Sequence, residues 1–72
     1  MAIAANMTPL ERQTITDAYD RLGEEDRLII AARYLFGLSQ QDTADALSIA
    51  SGLVRDHLTT ALRRLRQRMA AA

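Results

Sequence analysis

The sequence predicts an all-α fold of four helices, the last two joined as a helix-turn-helix. Three observations carry this. Apolar residues recur at helical spacing in every periodic segment, and no stretch alternates as a strand would. Thr8 and Ser39 stand in front of periodic segments, each followed three residues on by an acid, Glu11 and Asp42, in the pattern of a capping box. Gly23 and Gly37 fall where periodic segments stop, as glycine does after a helix.

Residues 1–7 are small and mostly apolar, without deciding periodicity, and a frayed terminus is expected there. Helix one then has three start signals: Thr8 as cap, Pro9 at the first helical position, and Glu11 closing a capping box. Ile15, Ala18, Tyr19 and Leu22 form its apolar face, and Gly23 is expected to end it. Helix two opens on Glu24, Glu25 and Asp26, acids that the helix dipole favours at this end. It is expected to run to about Phe36. Leu28, Ile29, Ile30, Ala31, Ala32, Tyr34, Leu35 and Phe36 make it apolar nearly all round, as in a central or partner-covered helix. At about 100° per residue, Leu28 and Phe36 would lie about 80° apart and border one groove.

Gly37 is expected to stop helix two, and Ser39 to cap helix three, about residues 40–47, with Asp42 in the place of the usual Glu or Gln. Ser48, Ile49, Ala50 and Ser51 break the pattern, and helix four follows over about residues 52–69. Val54, Leu58, Ala61 and Leu65 mark its buried face. Leu58, Leu62, Leu65 and Met69 make a stripe that would pack on helix one or on a second copy. Residues 70–72 are expected to be a disordered tail, so that one domain fills 1–72 with its core at about 8–69.

Composition limits the function. A chain of 72 residues, 49% apolar, holds one small core. It has no cysteine and one histidine, so no thiolate or multi-histidine metal site is expected, and no cofactor. Carboxylates without a nucleophile–base pair do not make an enzyme. No apolar run approaches the roughly 20 residues of a membrane span, and no signal-peptide pattern opens the chain. A soluble, cytoplasmic protein is expected, without membrane or small-molecule partners. The formal net charge is zero but uneven. Residues 1–51 hold four Arg against eight acids, and residues 52–72 hold five Arg against one acid, a balance of −4 against +4. The basic end either meets an acidic partner or complements its own helix dipole.

From Arg33 onward the chain resembles a known family. Arg33, Tyr34, Gly37, Leu38 and Ser39, then Ala44, Leu47 and Ile49, then Gly52, Val54, Arg55 and Leu58 follow in order the pattern of region 4 of bacterial sigma-70 factors, closest to the extracytoplasmic-function type. Ala61, Arg64 and Leu65 continue the match. The segment Ala18, Tyr19, Asp20, Arg21, Leu22 resembles the helix that opens that domain, so about residues 15–68 are covered. The resemblance implies a four-helix domain that grips the −35 element of double-stranded promoter DNA with the second helix of its helix-turn-helix. It also implies RNA polymerase as a partner, through the β flap or another subunit, and an anti-sigma factor or co-activator as a further one. Nothing here resembles region 2, so a complete sigma factor is not expected. Val54, Arg55, Asp56, His57 and Leu58 also resemble the V-K-x-H-L of LuxR-type regulators, which share a similar four-helix fold; Arg33-Tyr34 and the Arg-rich end favour the sigma family.

On this resemblance the expected DNA contacts are Arg33, Gln40, Gln41, Ser51, Leu53, Arg55, Asp56, His57, Thr60, Arg63 and Arg64. Arg55 is the expected base reader, because arginine bonds guanine bidentately in the major groove. Arg33 reaches a phosphate or pairs with a neighbouring acid. Gln40 and Gln41 open helix three, whose N-terminus can face phosphate. Arg63, Arg64, Arg66 and Arg68 track the DNA backbone, meet an acidic partner or are simply solvated. The departures weaken DNA binding. Leu53 replaces a hydroxyl, Asp56 brings a carboxylate towards phosphates, His57 replaces a permanent cation, and Thr60 and Leu62 stand where relatives often have Arg. Ser51 is a cap serine one place late, and Ser48 replaces a turn glycine. Leu28, Phe36, Leu53 and Leu62 replace residues that are commonly polar, and suggest an apolar surface for a partner; the alternative is a core enlarged beside small Ala31 and Ala32. The chain is therefore expected to act in transcription, either as a DNA reader using residues 52–60 or as a protein-interaction module that touches DNA little.

Overall fold

The computed structural model describes residues 8–71, and within them the chain is all-α. The expected frayed start at residues 1–7 lies outside the described residues, as does Ala72. Helix α1 spans Pro9–Asp20, α2 Glu24–Ile30, α3 Gln40–Leu47 and α4 Ser51–Ala71, with a π-helical turn, Ala31–Leu35, continuing α2. The expected disordered tail is corrected at its first two residues, which lie in α4.

Both arms of the first capping box close. The Glu11 N–H donates to Thr8 Oγ1 at 3.1 Å, and the Thr8 N–H to Glu11 Oε1 at 3.4 Å. Helix α1 stops earlier than Gly23, at Asp20, and Gly23 is not its left-handed cap. The Leu22 N–H turns back to the Tyr19 carbonyl at 3.0 Å, and Leu22 enters the core at 5% exposed. Gly23 has φ −63° and serves instead as the N-cap of α2. The corner is tied by the Tyr19 hydroxyl, which donates to the Arg27 carbonyl at 2.9 Å.

The expected second helix runs without a break from Glu24 to Leu35, but its last five residues form the π-helical turn. After Ile30 the hydrogen bonds widen: the Phe36 N–H reaches the Ala31 carbonyl and the Leu38 N–H the Ala32 carbonyl, both at 2.9 Å. Gly37, at φ +64°, provides the left-handed residue that closes this turn. The widened turn ends the count of 100° per residue, so the expected angle between Leu28 and Phe36 does not hold.

Helix α4 is the spine. Its 21 residues give about 31 Å of length at 1.5 Å per residue, most of the 36 Å long axis of the fold. Helices α1, α2 and α3 each pack on it. Leu22, Ile29, Ile30, Ala44, Val54 and Ala61 form the buried core, and Tyr19, Tyr34, Leu47, Ile49, Leu58, Leu62 and Leu65 pack around it. Ala44, Val54 and Ala61 are at most 2% exposed, and their small side chains let α3 and α4 approach closely. The stripe of Leu58, Leu62 and Leu65 is thus spent within the chain. Leu62 is corrected from partner surface to core margin. Leu28, Leu53 and Phe36 stay exposed, at 46%, 47% and 74%, joined by Leu35 at 61%.

Candidate nucleic-acid interface

The short helix α3, a three-residue turn and α4 make the helix-turn-helix. Ser39 caps α3, its Oγ accepting from the Asp42 N–H at 3.0 Å. Only this arm of the expected box forms, because the Asp42 side chain is one methylene shorter than the usual Glu. At the far end Ser48 adopts φ 56°, ψ 43°, the left-handed region that glycine tolerates best. The Ile49 N–H then reaches the Ala44 carbonyl at 3.0 Å, and Ile49 drops towards the core. The turn therefore forms without glycine. Ser51 is the first residue of α4 rather than its cap, and the Leu53 N–H bonds the Ala50 carbonyl at 2.9 Å.

Two buried polar side chains lie in and beside the motif. Thr43 is fully buried in α3, and its Oγ1 has no hydrogen-bond partner. Thr14 and Thr59 bond the carbonyl four residues back, at 3.0 and 2.9 Å, but the Thr43 hydroxyl makes no such bond to Ser39 O. Asp26 does more than open α2. Its side chain is 12% exposed and receives Arg64 Nη1 of α4 on both oxygens, at 3.0 and 3.1 Å.

The expected DNA contacts do not share one face. Around α4, at about 100° per residue, Arg55, Thr59, Arg63 and Arg66 fall within about 80° of one another. All four are exposed, and they form a stripe. Arg64 lies about 180° from Arg55. With its guanidinium held on Asp26, it belongs to the body of the fold and not to that stripe. Leu53, His57 and half-buried Thr60 also lie towards the Arg64 side, and exposed Asp56 lies between. Arg64, Gln67 and Arg68 line a groove with Leu22, Gly23 and Asp26, away from Arg55. The four C-terminal arginines, expected as one group, are divided by their spacing: Arg63 and Arg66 fall with Arg55, and Arg64 and Arg68 fall away from it.

The remaining expected contacts are tied elsewhere. Arg33, half-buried, donates through Nη1 to the Leu38 carbonyl. Gln40 Nε2 donates to the Ser51 carbonyl at 2.8 Å, and Gln41 Nε2 to Asp45 Oδ1 at 3.0 Å. Among the described residues no group of three His, Cys, Asp or Glu side chains is placed to hold a metal ion, and no helix is long and apolar enough to cross a membrane.

A helix-turn-helix on a small α-helical body, with exposed arginines along its second helix, defines a DNA-binding domain of transcription proteins. The family model for sigma-70, region 4, matches residues 18–67, and the chain belongs to that family. The family is a DNA-binding regulatory one, not a family of enzymes. No curated protein matches the chain.

Proposed function

We propose that this chain recognises a −35-type promoter element in double-stranded DNA and works with RNA polymerase in transcription initiation. The observation that carries the reading is the exposed stripe of Arg55, Thr59, Arg63 and Arg66 on α4. Arg55, in the first two turns, is the base reader. Arg63 and Arg66 lie further along the same side, where they neutralise phosphates. Asp56 opposes them, so the affinity is modest. The β flap or another subunit of the polymerase is the protein partner, an anti-sigma factor or co-activator covers the domain, and the cytoplasm is where these meet.

A second reading is favoured by one observation. Leu28, Leu35, Phe36 and Leu53 are all at least 46% exposed, apolar side chains that a protein partner could cover. In that reading the chain docks on RNA polymerase or a co-regulator and touches DNA little. The test is fluorescence anisotropy on promoter-derived and scrambled duplexes at several salt concentrations, beside a pull-down of core RNA polymerase. Sequence-selective binding that Arg55→Ala removes supports the first reading. Polymerase capture with no DNA binding at low salt supports the second and sinks the first.

A further inference from the structure

Arg33 and Gln40 both spend a donor on a backbone carbonyl, and the two bonds act in series. Arg33 holds the Leu38 carbonyl, immediately before Ser39, the cap of α3. Gln40, the first residue of α3, holds the carbonyl of Ser51, the first residue of α4. One clasp thus ties the end of the π-helical turn to the start of α3. The other ties the start of α3 to the start of α4. Helix α3 has 8 residues, too short to be stable alone, and buries only Thr43 and Ala44 fully. Gly37, Ser39, Gln40 and Ala50, which surround the clasps, are exposed.

We propose that Arg33 and Gln40 are positioning residues: their clasps set the angle of the first turns of α4 against α3, and neither side chain contacts DNA. The inference rests on the reading that α4 carries the DNA contacts. It replaces the expectation that both side chains reach the nucleic acid. A guanidinium on the Leu38 carbonyl stabilises the chain just before the Ser39 cap. An amide on the Ser51 carbonyl fixes the end of α4 that carries Arg55. Losing either clasp should leave the charge of the Arg55–Arg63–Arg66 stripe intact while loosening its aim.

The experiment compares wild type, Arg33→Ala and Gln40→Met by two readouts. Amide hydrogen exchange is followed at Thr43 and Leu53, whose N–H groups bond Ser39 O and Ala50 O. Binding is measured over a range of salt to a random-sequence duplex and to a duplex that the wild type enriches from a random pool. Exchange at these amides should quicken in both variants. Preference for the enriched duplex should fall about tenfold, within the worth of one misaligned base contact. The salt slope on the random duplex should not change. A slope smaller by about 0.9 in Arg33→Ala, with native exchange, would make Arg33 a phosphate contact and overturn the proposal. Because half-buried Arg33 is the riskier substitution, Gln40→Met, at an exposed site, keeps the test open if Arg33→Ala does not fold. Unchanged exchange in Gln40→Met overturns its clasp whatever the DNA results. Absence of binding by the wild type to either duplex counts against the DNA reading alone, and exchange then decides the clasps.

Discussion

Arg64 of α4 grips Asp26 of α2 across 38 residues of sequence, one guanidinium nitrogen lying 3.0 and 3.1 Å from the two carboxylate oxygens. The pair joins the first turn of α2 to the C-terminal half of α4. The carboxylate side chain is 12% exposed and the arginine 58%, so the cost of separating them is unequal. Arg64→Ala strands a nearly buried carboxylate and should destabilise the fold by about 1–2 kcal/mol, below the cost of breaking a fully buried pair because water reaches Arg64. Asp26→Ala leaves only a solvated arginine and should cost less. Urea unfolding of both variants and of the double variant measures the coupling. If Arg64 were a DNA phosphate contact instead, its loss would lower the salt slope of DNA binding and leave the unfolding midpoint in place.

The glycines at the two ends of α2 and its π-helical turn should respond oppositely to substitution. Gly37 sits at φ +64°, where a Cβ is strained even though nothing lies within 4 Å of it. Gly37→Ala should cost about 1–2 kcal/mol. Gly23 has φ −63° and open space, and as N-cap of α2 it lacks a side-chain acceptor. Gly23→Ser supplies that acceptor and removes freedom from the unfolded chain, so a gain of about 0.5–1 kcal/mol is expected. Thermal unfolding followed by circular dichroism checks both; equal losses would show that Gly23 is needed as glycine.

Thr43 is 0% exposed, and its hydroxyl has no partner. Thr43→Val keeps the shape and removes the unsatisfied group, whose burial costs about 1–3 kcal/mol. The variant should be more stable by about 1 kcal/mol, with DNA binding unchanged. A lower unfolding midpoint would show that the hydroxyl has found a partner.

The helices were legible because their signals are local. Thr8 and Glu11 close the capping box that their spacing announced, Gly37 takes its left-handed turn, and the family resemblance through Gly37, Ala44 and Val54 is borne out by the match to sigma-70 region 4. What the sequence hid is longer in range. The π-helical turn after Ile30 depends on how residues 31–38 close their hydrogen bonds, and an apolar run gives no sign of it. The partners of Arg33, Gln40 and Arg64 are set by packing across 5, 11 and 38 residues, and a residue type expected on DNA looks identical whether it is free or tied. Leu62 followed the same rule: departure from relatives suggested a surface, and contact with the core decided otherwise.

Asp56 stands exposed in the second turn of α4, one residue from Arg55. If this helix faces phosphate, Asp56→Ser together with His57→Arg removes a repelling charge and puts a permanent cation in place of an imidazole. DNA affinity should then rise and the salt dependence steepen by up to about 0.9 in log–log slope, the worth of one added phosphate contact. Anisotropy titrations on one duplex at four salt concentrations suffice, and an unchanged slope would turn this edge of α4 away from DNA.

The last prediction separates surface from core at the apolar positions. Leu28 and Phe36 are 46% and 74% exposed, so charges placed there are solvated in the free chain. Leu28→Glu combined with Phe36→Lys should leave the helical circular dichroism intact and move the unfolding free energy by less than about 1 kcal/mol, as surface substitutions do. Had these side chains been core, the same pair would unfold the protein, because unpaired buried charge is strongly unfavourable. If a protein partner covers them, each contributes about 1.5–3 kcal/mol of apolar burial before ordering costs, and the double variant should lose that partner outright. Size-exclusion chromatography with core RNA polymerase reads the outcome. Retained binding by a folded double variant would remove Leu28 and Phe36 from the docking surface and leave the arginine stripe of α4 as the functional face.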